Sequence, residues 1–357
     1  MPDDARGRTT WERACVTAHP SVAMDRKLVT LCAIISVAAL HDLGAHAAPT
    51  RVLFVGNSFT FVNDLPHQLI NIATSLGDDL EVANSTIGGC TLYHQTPSRD
   101  VRTASLLKQR WDFIVLQDYS ALPTVHAARS VYLRPAVAEF IAEKQDATIV
   151  MYLTWGYHDG NTAPCPSSDT PDCFPKGSLA NLTNPPCDSS PHFHNLTGTF
   201  ECMGYALARA YLSLRRLEGV DLVAPCGLAW QVVRGSTEIP SECRASVDAQ
   251  YPQPLSLSLP FKVPGGARPG FMLYRKFGDA IDKHPNVAGQ YLNALTFYAT
   301  LFRKSPVGAA APLPTGSTSA GDRPLTPSEQ LTLQVAAQGT AEACGSACGS
   351  MESSRLG

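Results

Sequence analysis

Charge is scarce in this chain: only 17% of its 357 residues are Asp, Glu, Lys or Arg, and the formal net charge is −3. It has no run of Lys and Arg, no basic patch interleaved with aromatics and no zinc-finger spacing of Cys and His. That sets nucleic acid aside as a partner, because a phosphate backbone is held mainly by clustered cations. No glycine-rich phosphate loop follows the first predicted strand, so a nucleotide-binding Rossmann unit is unsupported. No repeat of solenoid period recurs. The apolar stretch Leu28–Leu40 falls short of the roughly 20 residues that a membrane-spanning helix needs. His192 and His194 are spaced like a metal pair, yet they lack carboxylate or cysteine support and read as surface loop. No metal and no cofactor is expected.

What is present points to export. From the internal Met24 the chain reads as a secretory signal peptide. Arg26 and Lys27 supply the positive region, Leu28–Leu40 the apolar region, and Ala45-His46-Ala47 a small-x-small cleavage site. A non-cleaved anchor is the alternative, and residues 1–23 precede the signal as an extension. Of eleven cysteines, nine follow the cleavage point, several of them in Pro-rich sequence where a disulfide can staple what a core cannot. An odd count leaves one thiol over, and spacing alone does not pair the others. Sequons begin at Asn84, Asn181 and Asn195. Together these features predict a secreted or extracellular glycoprotein, with no stable membrane span after signal cleavage.

From Arg51 onward, short apolar runs alternate with amphipathic stretches, the mark of a parallel sheet with helices on both faces. Strands are predicted at 51–56, 80–84, 112–118 and 148–155, and "VDLVAPCGLAW" supplies a fifth. Helices are predicted at about 65–76, capped by Asn63 or Asp64 with Pro66 early, and at about 131–145. "FECMGYALARAYLSLRRLEG" reads as another, and Tyr291, Leu295, Tyr298 and Phe302 mark a last long one. About 156–198 is a Cys- and Pro-rich surface insertion, and 235–270 is a second irregular stretch. Residues 308–357 read as linker, a helix over 327–339 and a frayed tail.

The stretch "VLFVGNSFTFVNDLP" breaks its own pattern, running four apolar residues into Gly56-Asn57-Ser58. Ligands of an open α/β sheet bind beyond the carboxyl ends of the strands, and Ser58 stands just past the first. A serine hydroxyl is a weak nucleophile that needs a base within hydrogen-bond reach and a group to orient that base. "DAIDKHPN" offers both, with His284 opening the last long helix and Asp279 and Asp282 just before it. Asp118, Tyr119 and Ser120 follow the third strand and Trp155 the fourth, at the same edge, so they and Asn57 are candidates for the cleft. Trp155 is equally readable as core.

Four stretches in this order, "LFVGNSFTFVNDLP", "MYLTWGYHDG", "VAPCGLAW" and "HPNVAGQYLNALTFYATLFRKSP", resemble the SGNH (GDSL-like) hydrolase superfamily. The branch they resemble carries GNSFT in place of GDS. The resemblance covers roughly 51–307 and implies a domain over 48–307: a flavodoxin-like, three-layer α/β/α sandwich with a five-stranded parallel sheet. It implies Ser58 as nucleophile and His284 as general base. It also implies an oxyanion hole from the Ser58 amide, Gly88 or Gly89, and a side-chain amide at Gln117, where Asn is more usual. The superfamily spacing Asp-x-x-His falls on Ile281. Asp282 is then the preferred acid, Asp279 the second choice, and a dyad with a backbone carbonyl orienting His284 the third.

The function so implied is a secreted serine esterase acting on a small-molecule or polysaccharide ester, with acetylated carbohydrate the first guess. The competing expectation is a catalytically inactive carbohydrate-binding or cell-surface protein on the same scaffold, favoured by Ile281 and Gln117.

Overall fold

The computed structural model describes residues 48–161, 194–217, 219–236, 238–251, 271–313 and 323–349. The signal-peptide reading, most of the Cys- and Pro-rich insertion, Asn181 and His192 lie outside them.

Five strands form one parallel sheet: β1 (Thr50–Gly56), β2 (Leu80–Thr86), β3 (Phe113–Leu116), β4 (Thr148–Tyr152) and β5 (Leu222–Ala224). Their spatial order is β2-β1-β3-β4-β5, the flavodoxin-like order with its switch point beside β1. The central strands are apolar on both faces because both faces are covered.

Alternation along β1 sends Val52 and Phe54 to one face and Leu53 and Val55 to the other. On the first face they meet α2 (Leu65–Ser75), α6 (Cys226–Arg234), α8 (Val287–Leu301) and α9 (Pro327–Cys348). On the second they meet α3 (Val101–Leu107), α4 (Arg134–Glu143) and α5 (Phe200–Leu214). A short helix, α1 (Ser58–Phe61), follows β1 directly, and α7 (Ser241–Asp248) lies in the stretch expected to be irregular. The result is the expected three-layer α/β/α sandwich. Each fully buried Leu or Phe at these interfaces contributes about 1.5–3 kcal/mol.

Local signals set most boundaries. Asp64 caps α2 through the His67 amide, with Pro66 in the first turn, and Asn286 caps α8 through the Gly289 amide. Thr326 and Glu329 form a capping box at α9. Gly89, at φ 71° in the turn after β2, needs the freedom that glycine alone has there.

Four predicted elements differ from those observed. The fifth strand spans only Leu222–Ala224, because Pro225 ends it and "CGLAW" turns into α6. Residues 274–285, read as the approach to a helix, are an antiparallel hairpin of β6 (Tyr274–Phe277) and β7 (Ala280–Pro285). The C-terminal helix runs on past 339, with a kink at Gly345 before its end at Cys348, packed on the core through Leu333, Ala336, Ala337 and Cys344. The helix expected from about 131 begins as a wider turn at Arg129–Leu133 before α4 starts at Arg134, with Pro135 in its first turn.

Cys202–Cys243 and Cys344–Cys348 are disulfides, and Cys226 is buried with a free thiol. The first spans 41 residues, a loop whose closure removes roughly 4 kcal/mol of unfolded-chain entropy in the polymer picture. Among the described residues no helix is long and apolar enough to cross a membrane.

Candidate active site

β1 ends where its neighbours crowd it. A Cβ on Gly56 would lie 2.6 Å from Gln117 Oε1 and 2.7 Å from Thr60 Oγ1, so glycine alone fits. Asn57 then knots the carboxyl edge of the sheet together. Its Oδ1 accepts from the Phe59 amide, capping α1, and its Nδ2 donates to the carbonyls of Cys90 and Asp118. Ser58, half-buried, opens α1 on this rigid corner.

The partner comes from 226 residues away. His284 Nε2 is 2.7 Å from Ser58 Oγ, and His284 Nδ1 is 2.7 Å from Asp282 Oδ2. A carboxylate only accepts, so Nδ1 carries the ring proton, Nε2 accepts, and the Ser58 hydroxyl donates. The sequence expectation of a helix start at His284 gives way to a strand, and the strand explains the spacing. Residues i and i+2 of β7 share a face, so Asp-x-His brings both side chains together. Ile281 falls on the opposite face and packs against the core. Asp279 sits at the exposed hairpin tip after Gly278, and it is Asp282 that the imidazole meets.

Arg275 on β6 donates from Nη2 at 2.7 Å and Nε at 3.2 Å to Asp282 Oδ2. Burial works to raise the Asp282 pKa. The hydrogen bonds and charges of His284 and Arg275 outweigh it and hold the carboxyl well below its usual range. Phe59 sets its ring edge-on to His284 at 5.5 Å, and Asn63 Nδ2 donates to the Pro285 carbonyl. Gln290 of α8 donates to the carbonyls of Phe59, Thr60 and Val62, pinning α1 beneath the histidine strand.

The turn Ile87–Cys90 stands against the same corner: Ile87 N–H donates to Gly56 O at 3.0 Å, and Cys90 N–H donates to Ile87 O. Gly88 and Gly89 are its two central residues. No acceptor among the described residues takes the N–H of Ser58, Gly88 or Gly89.

Gln117 is placed differently from expectation. Fully buried, its Oε1 accepts from the Asn57 amide at 2.9 Å and from Thr60 Oγ1, while its Nε2 donates to the Asp118 carbonyl. The Asn57 N–H demands an oxygen there, so the side chain cannot flip. Its amide is committed to the strand ends and is not presented as an oxyanion donor.

Three cleft candidates are corrected in the same way. Asn57, Asp118 and Trp155 are all buried beneath the site. Trp155 stacks between Phe59 at 4.7 Å and Trp230 at 4.2 Å, and its indole donates to the Lys283 carbonyl. An aromatic of this size closes the core under β7, leaving no face for a ligand. Asp118 accepts from the Leu92 amide at 2.8 Å; burial raises its pKa to about 6 against the pull of that bond and one from the Tyr119 amide. Of the sequon asparagines, Asn84 lies half-buried on edge strand β2, and Asn195 lies on the helical turn His194–Thr197.

Sequence reasoning missed Arg275, Asn63 and Gln290. Their signal is geometric: each acts on a residue distant in sequence or across a hairpin that periodicity did not reveal. Among the described residues no group of three or more His, Cys, Asp and Glu is arranged to hold a metal ion.

No family model and no curated protein matches the chain. Among solved structures, a DUF4886 family protein from Bacteroides uniformis is similar with a TM-score of 0.50 at 17% identity, covering 82% of this chain and 94% of that one. A structure of TesA is similar with a TM-score of 0.31 at 14% identity, covering 57% of this chain and 97% of that one. The periplasmic domain of a lipopolysaccharide acetyltransferase from Salmonella ser. Paratyphi A gives 0.25 at 12% identity, covering 35% and 52%. At 17% identity the likeness to the first of these is one of fold alone, the flavodoxin-like α/β/α sandwich described above.

Proposed function

We propose that this chain is an exported serine ester hydrolase. The observation that carries the reading is the unbroken chain of hydrogen bonds from Ser58 through His284 to Asp282. In the proposed reaction Ser58 Oγ bonds to the acyl carbon as its proton passes to His284 Nε2. Asp282 steadies the imidazolium that forms. The carbonyl oxygen, now negative, is met by the Ser58 amide and an amide of the Gly88-Gly89 turn; such donors are each worth on the order of 10²–10³ in rate. The ester C–O bond then breaks and the leaving alcohol takes the proton from His284. Water repeats the sequence on the acyl-enzyme, releasing the acid and restoring Ser58.

Export rests on the signal-like segment from Met24, the sequons and the disulfides. An ester reachable outside the cell then becomes the natural substrate, with acetylated polysaccharide first. Labelling with a fluorophosphonate probe tests the reading without knowledge of the substrate. The expected result is a single adduct on Ser58 that Ser58→Ala abolishes. An unlabelled wild-type protein that also leaves p-nitrophenyl acetate intact would instead support the inactive-scaffold alternative.

A further inference from the structure

The strand that carries His284 carries a charge that the proposed triad does not use. Lys283 is half-buried between Asp282 and His284, and strand alternation turns it to the other side of β7. Its ammonium stands 5.6 Å from the ring centres of both Tyr119 and Tyr157. These tyrosines follow β3, the neighbour of β1, and β4 beyond it, so Lys283 overhangs the carboxyl ends of β3 and β4, the edge on which ligands of an open sheet bind.

Two aromatic rings hold a cation in place without neutralising it. Among the described residues the ammonium donates to no carboxylate and no carbonyl. Asp282 is adjacent in sequence, but its carboxylate is already engaged by Arg275 and His284. Charge on the hairpin therefore leaves Lys283 over. Burial lowers its pKa, with the Asp282 charge only partly opposing, which is the cost of a half-buried cation short of a counter-ion. Such a cation is ready for an anion brought by a ligand.

The side of the cleft on which it stands assigns the part of the ester it would meet. His284 returns its proton to the leaving oxygen, so the alcohol portion must lie beside His284. The free amides of Ser58 and the Gly88-Gly89 turn place the acyl portion over β1 and β2. There the exposed side chains are apolar, Phe61 at 46% and Ile87 at 36% exposure. We propose that Lys283, framed by Tyr119 and Tyr157, is a specificity residue that binds a carboxylate on the alcohol portion. The substrate class is then the ester of a hydroxy acid, such as an acetylated acidic sugar. This rests on the ester-hydrolase reading above.

The test compares 3- and 4-acetoxybenzoate with their neutral methyl esters, using wild-type protein, Lys283→Gln and Lys283→Arg. The preference is the ratio of kcat/KM for the carboxylate to that for the methyl ester, so differences in intrinsic reactivity cancel between proteins. Lys283→Gln should lower that ratio by about tenfold or more, through KM, and Lys283→Arg should keep most of it. In the wild-type protein, raising the salt concentration from about 0.01 M to about 0.5 M should lower the same ratio, an arm that needs no variant to fold. An unchanged ratio in Lys283→Gln, or no salt dependence in the wild type, overturns the assignment alone. If neither ester is cleaved and Ser58 takes no fluorophosphonate, the hydrolase reading falls, and this one with it.

Discussion

Asp282 and His284 stand two residues apart on one face of β7, and Oδ2 of the first meets Nδ1 of the second at 2.7 Å. The Asp-x-x-His spacing suits a turn; on an extended strand the same meeting requires one residue fewer. A departure that counted against catalysis in the sequence is thus what a β-hairpin requires.

The proposed acid is open to a direct test. Asp282→Asn should lower kcat on p-nitrophenyl acetate by roughly 10³–10⁴ with KM little changed, because the wrong imidazole tautomer is then favoured. Asp279→Ala at the hairpin tip should leave the rate where it was. Equal losses in the two variants would remove Asp282 from the triad.

Arg275 shares the Asp282 carboxylate with His284. Arg275→Met should therefore lower kcat by about tenfold, the carboxylate having lost the partner that fixes its orientation. Linkage gives a second readout. The folded-state pKa of Asp282 is depressed, so its contribution to stability is present above the unfolded value and is lost as pH falls through the folded one. Chemical denaturation from about pH 5 down to pH 2 should show a shallower loss of stability in Arg275→Met than in wild type. Parallel curves would sink the coupling.

Asp118 carries the opposite sign. Its pKa is raised by burial to about 6, so folding favours the neutral form. Stability associated with it is whole below the unfolded value, near 3.8, and falls away as pH rises through about 6. Asp118→Asn retains an oxygen for the Leu92 amide and removes the charge. It should raise the denaturation midpoint at pH 7.5 but not at pH 3.5, by an amount on the order of 1–3 kcal/mol at the higher pH. A variant less stable than wild type at both pH values would show that the carboxylate has a partner Asn cannot serve.

Trp155 separates core from cleft. Trp155→Phe removes the indole bond to the Lys283 carbonyl and part of the stack between Phe59 and Trp230. About 1–3 kcal/mol of stability should be lost, with KM for small esters within twofold of wild type. A large rise in KM without destabilisation would return Trp155 to the substrate surface.

The parts of the fold that depend on neighbours in the chain are legible in the residues alone. Short apolar runs mark the five strands and amphipathic spacing marks α2, α4, α5, α8 and α9, though not α3, α6 or α7, and Asp64-Leu65-Pro66 marks the start of α2. Gly56-Asn57-Ser58 marked a turn placed at the carboxyl edge of the sheet. Each of these is local: a period, a cap or a tight exit acts over a few residues and leaves its imprint there.

Pairings between distant segments come only from packing. That Asp282 and His284 share a face depends on β6 pairing with β7. That Gln117 serves Asn57 and Thr60 depends on β1 lying against β3. Trp155 becomes core only when α6 brings Trp230 against it, and Arg275 reaches Asp282 only across the hairpin. A side chain's chemistry is set by what surrounds it, and those surroundings are assembled by packing that no single stretch of this chain encodes.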